Sequence, residues 1–103
     1  MPPMSADATS ALLNALRRRF GKCIGFVLEE VRSRSWASAT FVGARHEVRF
    51  RLEGERAEAA ARDFVSKLES AEFKLRGHLL ADIALACNEG TRLSIEALTV
   101  EDG

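Results

Sequence analysis

A chain of 103 residues holds one domain with a core of its own and has no room for a second. Its 47% apolar and 29% charged content is that of a globular protein. Its fifteen basic and fifteen acidic residues cancel, which removes the electrostatic case for nucleic acid or an anionic membrane as partner. No apolar run approaches the roughly 20 residues of a bilayer span, the N-terminus lacks the basic and apolar stretches of a leader, and two cysteines make no disulfide framework, so the expected compartment is the cytoplasm.

Residues 1–8 are polar, contain Pro2 and Pro3, and read as a tail. Thr9 or Ser10 is a candidate cap for a first helix whose apolar stripe is Leu12, Leu13, Leu16 and Phe20. Arg17, Arg18 and Arg19 suit its negative end, and Gly21 stands where a helix-terminating glycine belongs. Residues 22–34 have helically spaced Ile24, Val27, Leu28 and Val31. Gly25 and the absent cap argue against a helix, so the stretch reads as an extended entry into a strand.

A first hairpin is predicted over 35–52, with Gly43-Ala44 as a glycine-first two-residue turn. That register sets Phe41 opposite His46, Ala39 opposite Val48 and Ala37 opposite Phe50. Glu53-Gly54 breaks the strand. A second helix follows over 55–70, with Ala57, Ala60, Ala61, Phe64, Val65 and Leu68 on its apolar face. The second hairpin is predicted around a three-residue loop, Asn88-Glu89-Gly90, with Gly90 left-handed. Leu85 then meets Leu93, Ile83 meets Ile95 and Ala81 meets Ala97, all on one face. Residues 9–100 form the domain, and 101–103 are a polar stub.

The order helix, strand, strand, helix, strand, strand predicts an α+β two-layer sandwich. Two helices cover one face of a four-stranded antiparallel sheet whose strands run three, four, two, one. Phe50, Phe64, Ile83 and Ile95 are its expected core. The topology resembles a ferredoxin-like sandwich, circularly permuted so that the chain begins at a helix. That architecture hosts many functions, so function has to come from a site.

The chain contains no phosphate loop, dinucleotide-binding glycine pattern, HExxH or CxxC, and no cofactor or metal is expected. His46, at the hairpin end on the core side, reads as a partly buried, hydrogen-bonded imidazole. Cys87 reads as a small inert core residue. A Cys87–His46 nucleophilic pair would need the two hairpin tips to meet, which the strand order opposes.

The uncovered sheet face is therefore the candidate site. It is expected to present Trp36, Ser38, Thr40, Glu47, Arg49 and Arg51 from one hairpin. From the other come Leu80, Asp82, Ala84, Ala86, Arg92, Ser94, Glu96 and Leu98. Small residues at the centre make it flat, with large apolar ones toward one end. Sheet-face RNA binders stack bases on several central aromatics, and here Trp36 is the one aromatic. The reading is a non-catalytic association domain, a homodimer through its sheet or a binder of another protein. The rivals are a small-molecule-binding regulatory domain and an enzyme whose site is shared between subunits.

Overall fold

The structure, a computed structural model, describes residues 7–70 and 73–101. Helix α1 is Ala8–Phe20, followed by strands β1 (Gly25–Ala37) and β2 (Val42–Glu53). Helix α2 (Ala57–Lys67) runs into a 3-10 turn at Leu68–Ser70, and strands β3 (His78–Glu89) and β4 (Arg92–Glu101) complete the chain. The four strands form one antiparallel sheet in the order β1-β2-β4-β3, the expected order. The expected tail falls outside the described residues up to Ala6. Asp7 caps α1 instead of Thr9 or Ser10, its carboxylate accepting from the Thr9 amide at 3.1 Å. At the other end Glu101 still belongs to β4, and the rest of the expected stub, 102–103, lies outside the described residues.

Both helices lie on one face. Leu12 and Leu16 of α1 and Ala57, Ala61 and Phe64 of α2 share one cluster with Val48, Phe50 and Leu52 of β2 and Leu93, Ile95 and Ala97 of β4. Burial alternates along β4 and, from Arg45 on, along β2, as it must where a pleated sheet buries one side. Phe20, Phe26, Phe50 and Phe64 pack ring to ring at centroid distances of 4.9–6.1 Å. Phe50, Phe64 and Ile95 are inaccessible as expected. Ile83 is only half-buried, because β3 is an edge strand.

The first hairpin departs most from expectation. Residues 38–41 form its loop, and Ala37 lies opposite Val42, Val31 opposite Val48 and Leu28 opposite Phe50. The stretch read as an entry is the strand itself, and it supplies Phe26, Leu28 and Val31 to the core. Gly43 sits inside β2, between Trp36 and Val100. A Cβ there would stand 2.1 Å from the Thr99 carbonyl oxygen and 2.9 Å from the Trp36 ring. Glycine is present for close approach, not for a turn. Phe41, expected opposite His46 in the core, is 54% exposed in the loop.

The second hairpin turns tightly at Gly90-Thr91, with Glu89 opposite Arg92 and Gly90 at φ +69°. The glycine-first turn chemistry is real but belongs to Gly90. Leu85 lies opposite Ile95 and Ile83 opposite Ala97, two residues from the expected register. An even shift keeps Ile83 and Leu85 facing inward. Two bulges accompany it, one at Ala81 and one at Ala86, each adding an unpaired residue that reverses the alternation.

Candidate functional site: the uncovered face of the sheet

The strand register writes this face as rows that cross all four strands. At the hairpin-loop end the row is Trp36, Gly43, Val100 and Leu79. Below it come Arg34, Arg45, Leu98 and Asp82, then Arg32, Glu47, Glu96 and Ala84, then Glu30, Arg49, Ser94 and Cys87. Val27, Arg51, Arg92 and Glu89 occupy the last.

Of the residues expected here, Trp36, Glu47, Arg49, Arg51, Asp82, Ala84, Arg92, Ser94, Glu96 and Leu98 share the face. Ser38 and Thr40 do not, because they lie in the loop, where the Ser38 hydroxyl accepts from the Thr40 and Phe41 amides. Ala86 is the bulged residue of β3. The bulge at Ala81 turns Leu80 inward and leaves Leu79 outward and 54% exposed. The bulge at Ala86 brings Cys87 opposite Ser94, so its thiol is exposed on the open face, not inert in the core. His46 and Cys87 therefore lie on opposite sides of the sheet and form no nucleophilic pair.

Two carboxylates were missed by reading residues 22–34 as an entry. A bulge between Leu28 and Glu30 points both Glu29 and Glu30 outward. The signal was present: inward apolar residues fall on even numbers at Phe26 and Leu28, then on odd at Val31. Glu29 bridges Arg51 at 2.7 Å and Arg92 at 2.9 Å, linking β1, β2 and β4. Hydrogen bonding to Arg92 chiefly, and then to Arg51, holds its carboxyl below the usual range against desolvation. Arg51 also pairs with Glu53, and Glu30 with Arg32 and Arg49. This end of the face is charged but internally neutralised.

The middle rows differ. Arg34 lies opposite Arg45, and Glu47 opposite Glu96. Among the described residues none of these four forms an ion pair. Like charges directly opposite destabilise a sheet. A concavity of about 260 Å3 lies over Glu47, Arg49, Cys87, Ser94 and Glu96. At the apolar end the Trp36 ring lies over Gly43, and its Nε1 is buried without a hydrogen-bond partner among the described residues. Such a donor costs about 1–3 kcal/mol. Phe41 and Val42, 54% and 47% exposed, project at the same end.

The covered face holds a polar line within the core. His46 is wholly buried, more than the partial burial expected, with Nδ1 2.7 Å from the Ser33 hydroxyl and Nε2 2.9 Å from that of Thr99. Ser33 in turn lies 2.8 Å from the Thr9 hydroxyl on α1. Burial holds the imidazole below the ordinary histidine range; Asp7 opposes the shift and His78 adds to it.

Among the described residues no group of three or more His, Cys, Asp or Glu is arranged to hold a metal, and no helix is long and apolar enough to cross a membrane. No protein-family model, curated protein or solved structure matches the chain.

Proposed function

We propose that the protein acts by association, and that the uncovered sheet face receives the same face of a second copy. The observation that carries this is a self-complementary pattern about the level between Arg45 and Glu47. On one side of that level lie the large apolar residues Leu98, Val100 and Leu79 with the unpaired cation Arg45. On the other lie the small Ala84, Ser94 and Cys87 with the unpaired anion Glu47. A two-fold axis lying in the interface and crossing the strands at this level sets each Arg45 over the partner's Glu47. The same axis sets Val100 over the partner's Ser94 and Leu79 over its Cys87, against the less favourable Arg34 over Arg32 and Leu98 over Glu96. A closed dimer with one repeated contact results.

The axis lies nearer one end of the strands, so four strands about 4.8 Å apart overlap over about 27 Å, on the order of 500 Å2 from each partner, the size of a small interface. The balanced net charge leaves no long-range repulsion between copies.

Charge reversal tests the geometry. In Arg45→Glu alone each introduced carboxylate faces the partner's Glu47, and in Glu47→Arg alone each introduced cation faces the partner's Arg45, so each variant places two like-charge contacts in the dimer. Each is expected to weaken the dimer by tenfold or more, and the double variant to restore it. Sedimentation equilibrium reads all three. A double variant as weak as the singles would reject this register. The rival reading, a small-molecule regulatory site, draws on the concavity over Arg49, Cys87 and Ser94.

A further inference from the structure

The proposed axis leaves one cation unanswered. In the single chain Arg34 lies opposite Arg45, and among the described residues neither has an ion-pair partner. Turning a second copy over gives each Arg45 the partner's Glu47, but it gives Arg34 the partner's Arg32. The axis leaves the dimer at its β1 edge between these two residues, so four guanidinium groups meet there, Arg32 and Arg34 from each chain. β1 is an edge strand, and the spot opens directly to solvent.

The carboxylates within reach are already engaged. Glu30 accepts from Arg32 at 2.7 Å and pairs with Arg49 at 3.5 Å. Glu47, opposite Arg32 on β2, faces the partner's Arg45 in the dimer, and Glu96 stands one strand further from the edge, opposite Glu47. Arginine keeps its charge at any working pH, so loss of a proton cannot relieve the cluster. Spreading apart or an anion can, and Glu30 already holds Arg32 in place.

The geometry selects the anion. Residues two apart on a strand are about 6.8 Å apart and stacked sheets about 10 Å apart, so the four Cα atoms outline a small rectangle centred on the axis. A tetrahedral oxyanion has a two-fold axis of its own. Seated on the axis of the dimer, it turns two oxygens to the Arg32–Arg34 pair of each chain, and guanidinium forks suit such oxygens. Among the described residues Arg32 gives only its Nε proton, to Glu30, and its terminal N–H groups remain for a ligand. Each chain brings one Arg34 without a carboxylate, so the dimer matches a doubly charged oxyanion.

We infer, on the sheet-face dimer proposed above, that the dimer and not the single chain binds a tetrahedral oxyanion of the phosphate class between Arg32 and Arg34 of both copies. A ligand held only by the dimer drives association by mass action, and a small interface is where that contribution counts.

Sedimentation equilibrium of the full chain in chloride, and in inorganic phosphate at the same ionic strength, tests this beside Arg34→Gln. Arg34 is exposed, so the variant keeps the fold. The association constant of the wild type is expected to rise about tenfold when phosphate stands about tenfold above its dissociation constant. Arg34→Gln removes both the repulsion and the site. It should dimerise more tightly than the wild type in chloride and gain less from phosphate. Glycerol phosphate in a parallel arm separates the sources: a shift as large as that of the free ion admits esters, and none restricts the site to the free ion. A wild-type dimer that ignores phosphate, an equal gain in both chains, or a weaker Arg34→Gln dimer in chloride would overturn the site and leave the dimer standing. A chain that stays single in every buffer would overturn the dimer and the site with it.

Discussion

Gly43 shows how one missing side chain organises an end of the sheet. Its empty side is filled by the Trp36 ring, and its backbone lies against the Thr99 carbonyl. Gly43→Ala must move one of them, and the carbonyl belongs to a central strand that cannot shift alone. A loss of about 3 kcal/mol is expected in urea unfolding, at the upper end of ordinary overpacking. A change below about 0.5 kcal/mol would mean that the two central strands separate there at little cost. Cys87 is the second informative residue. Exposed in one chain and covered in the proposed dimer, its thiol is expected to label slowly at concentrations where the dimer forms and quickly in a monomeric variant. Equal rates in both would leave Cys87 outside the contact.

At the scale of elements, the helices and the central strands were the legible parts. α1 ends at Gly21 and α2 buries Phe64, as spacing and caps foretell. Alternation along β4 and, from Arg45 on, along β2 identifies their inward sides without a register. Registers were not legible, and the reason is local. Each edge strand carries a bulge, at Glu29 in β1 and at Ala81 and Ala86 in β3, and a bulge breaks the period of two on which a register reading depends. Glycine misled for a related reason. The same residue type permits a left-handed turn at Gly90 and a close approach at Gly43, and only the neighbouring strand distinguishes the two. Ser38 and Thr40 left the candidate face through that one error, and Glu29 and Glu30 entered it.

Bulged edges also bear on association. They interrupt the rows of free backbone groups by which sheets add strands edge to edge, which suits the proposed association through the open face. Across the whole molecule, the helices close one side of the sheet and the other side shows a gradient from apolar through unpaired charge to neutralised charge. Under the proposed axis the gradients of the two copies run in opposite directions, and the unpaired charges of the middle rows meet. Ala84 lies in the row next to the proposed axis, with its side chain away from its own helices. Ala84→Glu therefore buries an unpartnered charge in the dimer, at a cost of several kcal/mol, and leaves the isolated chain folded. Sedimentation equilibrium of the wild type beside Ala84→Glu is the most direct measurement. Twice the chain mass for the wild type and the single mass for the folded variant are expected; a monomeric wild type, or a variant that still dimerises, would contradict association through this face.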